Sequence, residues 1–258
     1  HDEWLVDLAS SKGAKYLTGA RVESVNGETV TLRDGRNFHG KIIVGAGGHN
    51  DPLRRARWSE SSLKIPIKFV LMEGEFGDAV ELHFGSMAPG GYAWVFPKER
   101  GANIGLGIQN KFSKGRSLNS LADGFISNYE GDITFRGAGS LPMSGSIKQF
   151  VKGNHLLVGD SAGMVLPSNG AGITIAMVGG RIAGQTVVSH LDEGTSLHEY
   201  EKEWKRQMGS VMRNSKLSFK IGSWIMRLPD WVLNLAFNPV TKPFVWRFVT
   251  CRKPFFIF

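Results

Sequence analysis

Apolar and polar positions alternate with different periods along the chain, and each period predicts an element. Trp4 to Ala14 carries apolar residues at helical spacing and predicts an amphipathic helix. From Arg21 to Phe38 the period falls to two, punctuated at Asn26-Gly27 and Asp34-Gly35, which predicts a β-meander. Lys41-Ile42-Ile43-Val44 has the continuous apolar character of a buried strand and runs into Gly45-Ala46-Gly47-Gly48. Alternation returns at Ile65, Ile67, Phe69 and Leu71, at Val80, Leu82 and Phe84, and in Tyr92–Lys98 followed by Asn103–Ile108, predicting an antiparallel sheet. Asn154–Val158 is a second buried strand. From about Ile173 the pattern turns helical, with Ala176, Gly179, Gly180, Ala183 and Gly184 as a small-residue ridge that predicts a helix lying close against a sheet. A charged helix is expected from about His198 to Met212. After it, Ile221, Trp224, Ile225, Leu228, Val232 and Leu235 form one stripe, broken at Pro229-Asp230 where a second helix starts.

Two stretches carry chemistry. Gly159-Asp160 follows the strand Asn154–Val158, and Asn169-Gly170-Ala171-Gly172 opens the next helix with almost no side chains. A carboxylate at a strand end suits sugar hydroxyls, and bare amides at a helix start suit an oxyanion or carbonyl, so the pair describes a nucleotide cofactor site. The alternative is a ligand-free strand, turn and packed helix, common in α/β proteins. In the second stretch, strand periodicity places Tyr92, Trp94 and Phe96 on one face, while Gly105 and Gly107 leave a groove on the facing strand. That face is either a core ladder or the wall of a ligand cavity. Neither His49 nor His83 has a neighbour that suggests a metal site or a catalytic triad.

Composition narrows the class. With 258 residues the chain can hold one large domain or two modest ones. Its single cysteine, Cys251, excludes an internal disulfide and a cysteine-based metal site, and favours a reducing, cytoplasmic compartment. No apolar run is long enough to span a bilayer. The formal charge of +8 is unevenly placed: beyond residue 204 ten Lys and Arg face one acid, Asp230, for a net +9, and the rest of the chain nets −1. The same segment holds three of the seven Trp and seven of the sixteen Phe, a mixture that suits an anionic membrane surface and peripheral association. No nucleic-acid-binding module is recognisable, and no nucleic-acid partner is expected.

The string Gly159-Asp160-Ser161-Ala162-Gly163, Pro167, Gly170-Ala171-Gly172-Ile173 and Ala176 resembles the second flavin-binding motif of the FAD-dependent hydroxylase and reductase superfamily. The resemblance implies FAD as cofactor, with Asp160 on the ribityl chain and the helix start facing the pyrimidine edge of the flavin. "PGGYAWVFPK" with "NIGLGI" and "GDSAGMVLPSNGAGI" resembles the geranylgeranyl reductase family, including its archaeal digeranylgeranylglycerophospholipid reductases, over about Trp4 to Leu191. Gly47 departs from the family, which usually shows Asp in that turn.

The resemblance implies a mixed α/β (α+β) fold. A partial Rossmann-like FAD-binding domain would occupy 1–50 and 140–195, an inserted antiparallel-sheet substrate domain 51–139, and a basic, aromatic helical tail 196–258. The implied reaction is saturation of C=C bonds in the geranylgeranyl chains of a membrane lipid or precursor. An electron donor, NAD(P)H or a ferredoxin, is left unspecified. Tyr92, Trp94, Phe96, Gly105 and Gly107 are the expected substrate pocket, Tyr92 being the one weak candidate for a catalytic acid, with a backbone-bonded phenol as its alternative. Other readings are a flavin-dependent monooxygenase or halogenase, and a non-catalytic lipid- or membrane-binding module. No GxGxxG turn precedes residue 45. On the superfamily pattern the chain is therefore expected to be N-terminally incomplete, to leave Ile42-Ile43-Val44 and Leu156-Leu157-Val158 as unpaired edges, and to hold FAD poorly by itself.

Overall fold

The computed structural model describes residues 2–59, 63–226 and 228–236, with isolated positions at 243, 247 and 250. Cys251 and the basic residues Arg227, Lys242, Arg252 and Lys253 lie outside the described residues.

The first helix, α1, spans Asp2–Ser11, a turn shorter at its C-terminal end than the apolar spacing suggests, and buries no residue. The meander follows as β1 (Val22–Asn26), β2 (Thr29–Leu32) and β3 (Asn37–His39), an antiparallel sheet in that order. Its two turns fall at Gly27 and Gly35, both with positive φ. After it come β4 (Ile43–Gly45) and the short helix α2 (Pro52–Arg57). The start of α2 is fixed by Asp51, whose carboxylate accepts from the Arg54 amide at 3.0 Å, with Pro52 in the first turn where its missing N–H costs nothing.

The largest sheet is antiparallel. It contains β5 (Lys64–Glu73), β6 (Glu81–His83), β7 (Tyr92–Lys98), β8 (Gly101–Gly107) and β9 (Asp132–Pro142), in the order β6-β7-β8-β5-β9. The helix α3 (Leu118–Ile126), capped by Ser117 at the Ser120 amide, covers one face. Val70, Met72, Ala93, Val95, Ile104, Leu106 and Phe125 form a core there. At roughly 1.5–3 kcal/mol per buried large apolar side chain, this face is the main stabilising contact of the sheet. The opposite face presents Tyr92, Trp94 and Phe96, as strand periodicity requires. Gly105 pairs with Trp94 and Gly107 with Tyr92, leaving room for the rings.

The third sheet joins segments that lie on either side of the large antiparallel sheet in the sequence. β10 (Val151–Lys152) pairs antiparallel with β11 (His155–Leu157), which pairs in parallel with β4, His155 opposite Ile43 and Leu157 opposite Gly45. The parallel neighbours expected from the two apolar runs are therefore present. The expectation that Leu156 and Leu157 form an open edge is corrected: Gly153-Asn154 turns β10 back onto β11, so β11 is flanked on both sides and both leucines are fully buried.

Two long helices close the structure, α4 (Ile173–Glu193) and α5 (Glu199–Ile225), followed by α6 (Asp230–Ala236). Two further expectations change here. First, α5 is one helix, continuous through Met212 to Ile225. The apolar stripe expected across the end of α5 and α6 does not hold: Trp224 of α5 and Leu235 of α6 are each 64% exposed, and Leu233 of α6, outside the predicted stripe, is buried. Second, the small-residue ridge of α4 does not meet one common neighbour along its length. Gly179 packs on Met164 and on Trp204 of α5, while Gly180 and Gly184 have no neighbour where a Cβ would stand. Helix periodicity puts i and i+1 on different faces, and only one of them meets α5.

The glycines thus divide into those the packing needs and those it does not. A Cβ on Gly105 would stand 2.5 Å from the Phe69 Cβ and 2.6 Å from the Lys68 carbonyl oxygen. Gly105→Ala is expected to lose about 1–3 kcal/mol through overpacking. Gly180→Ala, in an open helical position, should gain about 0.5–1 kcal/mol. Thermal melting of the two variants beside the parent checks both signs.

Candidate active site

The site is built where β11 ends. Gly159 follows in a left-handed conformation (φ 60°), a single 3₁₀ turn carries Asp160 and Ser161, and Gly163 (φ 67°) closes it. Ser161, fully buried, donates its hydroxyl to the carbonyls of Gly45 and Val158, both at 2.5 Å, and so ties the turn to the end of β4. Arg54, also buried, donates to the Ser161 carbonyl. Asp51 accepts from the Gly47 amide at 2.7 Å, and a Cβ on Gly47 would meet that carboxylate oxygen at 2.8 Å. At the position where the family usually carries Asp, this chain needs glycine because Asp51 occupies the space.

Asp160 points the other way. Its carboxylate has no hydrogen-bond or ionic partner among the described residues, and partial burial raises its pKa above the ordinary value of 3.8. It lies beside Gly172, where a Cβ would stand 3.5 Å from the Asp160 Oδ1. Gly172 is the N-cap of α4 and offers no side-chain cap, in contrast to Asp51 for α2 and Ser117 for α3. A half-buried acceptor and uncapped helix amides lie side by side, and an incoming ligand can satisfy both.

The glycine loop before α4 is held from two sides. Tyr92 of β7 donates its hydroxyl to the Asn169 carbonyl at 2.6 Å. Ser215 of α5 accepts from the Ser168 amide at 3.0 Å. Within the loop, Gly170 donates to the Leu166 carbonyl at 2.8 Å and Ala171 to the Asn169 side chain at 3.0 Å. Burial pushes the Tyr92 phenol pKa up. With its proton committed to a backbone carbonyl, Tyr92 is placed as a clamp on the loop.

Between this loop and the aromatic face of the sheet lies an apolar cavity of about 90 Å³. Tyr92, Trp94 and Gly107 line it, beside Pro167 and Gly170 of the loop. Phe96 and Gly105 do not: Phe96 stacks on the far side of Trp94, with centroids 5.9 Å apart, and Gly105 is covered by Phe69 and Trp94. The sequence reading missed Phe84, Ile65, Ile67, Leu141 and Met143, which complete the apolar wall, and Ser218, Phe219, Gly222, Ser223 and Met226 of α5, which close it. The spacing of Ser218 and Gly222, with Met226 just past the end of the helix, was the available signal, two small residues one turn apart on one helical face. The Ser218 hydroxyl is buried without a partner among the described residues. A second, larger cleft of about 860 Å³ runs along β4, bounded by Arg21, Arg33, Ala46, Asn50 and Arg55. His83 pairs with Glu81 at 2.9 Å and packs on Phe125, a structural role. Among the described residues no group of His, Cys, Asp and Glu could hold a metal, and no helix is long and apolar enough to cross a membrane.

Solved structures of flavin-dependent enzymes share this architecture. BrvH, a flavin-dependent halogenase from Brevundimonas, superposes with a TM-score of 0.67 over 98% of this chain and 59% of its own, at 18% identity. A geranylgeranyl bacteriochlorophyll reductase-like protein from Thermoplasma acidophilum superposes with a TM-score of 0.77 over 93% of this chain and 66% of its own, at 24% identity. Residues 64–138 match the geranylgeranyl reductase catalytic domain. Digeranylgeranylglycerophospholipid reductase 1 of Methanococcoides burtonii is 30% identical over 83% of this chain. The chain belongs to the geranylgeranyl reductase family. It spans 58% of that Methanococcoides relative and 66% of another family member, from Methanothrix thermoacetophila.

Two expectations follow from the geometry. A raised carboxylate pKa means that ionising Asp160 is harder in the folded chain, so this group lowers stability as pH rises from its ordinary value through the raised one. Asp160→Asn should therefore melt higher than the parent at neutral pH and equally below the ordinary carboxylate pKa; a parent that melts higher at neutral pH would contradict this. Tyr92→Phe should lose about 0.5–1.5 kcal/mol, read by denaturant unfolding.

Proposed function

We propose that this chain uses FAD to saturate C=C bonds in the prenyl chains of a membrane lipid or its precursor. The observation that carries the reading is the junction itself: an apolar, aromatic-lined cavity shares a wall with the glycine loop that opens α4. The names of the relatives, digeranylgeranylglycerophospholipid reductases, support the substrate class.

The residues present fit a flavin. Asp160 is an unpartnered acceptor suited to ribityl hydroxyls. Gly159, Gly163 and Pro167 shape the turn around it; Gly170 and Ala171, whose amides are bonded within the loop, set its path, and Gly172 and Ile173 at the helix start offer backbone without a capping side chain for the polar edge of the ring. When bound and reduced, FAD would supply a hydride to one alkene carbon while a proton drawn from solvent reaches the other; FAD itself would be reduced by hydride from NAD(P)H, or by two single electrons from a ferredoxin with protons from solvent. The chain's own contribution is positioning. An isolated alkene has no polar handle, so Trp94, Phe84, Ile65 and Leu141 would orient it by apolar contact and keep water out. Tyr92 holds the loop at a fixed distance from that wall through its bond to Asn169.

The test compares two acids. Asp160→Ala should weaken FAD binding roughly ten- to hundredfold, as loss of a charge-assisted hydrogen bond does, while Asp132→Ala, in β9, should leave it unchanged. Fluorescence titration of FAD measures both, and equal effects would remove Asp160 from the site. Anaerobic incubation with reduced FAD and a digeranylgeranyl phospholipid should add hydrogen in pairs, read by mass spectrometry. Oxygenated or halogenated product under aerobic conditions, with no saturated lipid, would favour the monooxygenase or halogenase reading.

A further inference from the structure

On α5 the residues Lys205, Gly209, Arg213, Lys216, Lys220 and Trp224 follow at steps of three and four, which aligns them in one row along the helix. Lys205, Arg213 and Lys220 are exposed and have no ion pair among the described residues, and the row ends on Trp224, 64% exposed. Beside the row lies a groove of about 440 Å³ with Lys148 on its opposite lip and Phe150, Trp204 and Met212 in its floor. The one acid on that groove, Glu201, is occupied by the amides of Phe150 and Val151 and by His198.

Two ordinary explanations fail. Cations that complement a helix dipole sit in the last turn, and the last turn of α5 has none. A solvated charged face intersperses both signs, yet the acids of α5 are Glu199, Glu201 and Glu203, all near its start, and no acid follows as far as Ile225. Beyond the row, α6 buries Leu233 and turns Trp231 and Leu235, 68% and 64% exposed, outward on one face. Its start is anchored by Asp230, which accepts from the Ser86 amide at 2.9 Å and from its hydroxyl at 2.6 Å. Exposed tryptophans at the end of a basic row match the boundary of an anionic bilayer, where the ring is half solvated and the cations meet lipid phosphates.

We infer that this row and the outer face of α6 seat the chain on an anionic phospholipid bilayer. The inference rests on the prenyl-lipid reading above and adds where the lipid arrives. Gly222, Ser223 and Met226, which line the apolar cavity, lie in the turns around Trp224. The proposed surface and the cavity wall therefore share the last turns of α5, which would bring the cavity to within one helix diameter, ~10–12 Å, of the bilayer.

Flotation of the full chain with vesicles tests the surface. Binding should be strong to phosphatidylcholine mixed with phosphatidylglycerol, weak to phosphatidylcholine alone, and should fall with added salt. Lys205→Glu/Arg213→Glu/Lys220→Glu should lose about a hundredfold in vesicle affinity. The charge-matched control Lys12→Glu/Lys15→Glu/Lys41→Glu should lose less than tenfold. Trp224→Ala/Trp231→Ala should weaken vesicle binding while leaving any binding to heparin unchanged. Equal loss in the two charge variants, binding indifferent to lipid charge, or tryptophan variants that float like the parent would each overturn the assignment. FAD affinity and reduction of lipid dispersed in detergent should be retained in the row variants. Their absence in the parent would count against the reductase reading, whereas intact vesicle binding lost only with the row would still sustain the surface.

Discussion

The hydrogen bond from Tyr92 to the Asn169 carbonyl joins residues 77 positions apart, and the site depends on it. The loop it holds is rich in glycine, whose many accessible conformations give it no fixed place of its own. A phenol from the sheet on one side and the Ser215 hydroxyl from α5 on the other set its distance from the aromatic wall. The cavity is the space left between them. Its apolar lining follows from the antiparallel sheet, which sends one set of side chains to the α3 core and the alternate set toward the loop.

Adjacent residues in the turn after β11 serve opposite ends. Ser161 faces inward and is doubly bonded, and with Arg54 and Asp51 it makes a buried polar cluster whose recorded contacts are satisfied. That cluster locks the ends of the two parallel strands together, since each carbonyl left unpaired there would cost a desolvation penalty of about 1–3 kcal/mol. Asp160, one position earlier, faces the mouth of α4 and carries an unfavourable environment for its charge. The first residue stabilises the turn, whereas the second half-buries a carboxylate with no partner among the described residues, the feature on which its proposed contact to FAD rests.

The long helix α5 links these features to the outside. Its buried side supplies Tyr200, whose hydroxyl bonds the Leu157 carbonyl at 3.1 Å, and Ser215 and Ser218 at the loop and cavity. Its other side is the basic row. One helix thus holds the cofactor-type loop, walls the cavity and presents a charged surface, so a displacement at the surface would be felt at the cavity wall.

By itself, the sequence determined the elements with strong local signals. The meander was legible from its Asn-Gly and Asp-Gly turns, the aromatic face from strict alternation in Tyr92–Phe96, and the parallel pair from two short apolar runs each ending at glycine. Asp160 and the glycine loop stood out as a carboxylate beside bare backbone at a helix mouth, a pattern that a ligand-free turn also produces and that only the resemblance to a flavin-binding motif turned into a site expectation. Tertiary structure decided what local periodicity cannot encode. It chose which of Gly179 and Gly180 would meet a neighbour, and it seated Trp94 in the cavity and Phe96 behind it. It paired Leu156 and Leu157 on both sides, brought Ser218 to Met226 across to complete the pocket, and gave Asp51 the space beside Gly47. Each of these depends on contacts between segments far apart in the chain, and a period of two or of 3.6 residues names a face without naming what packs against it.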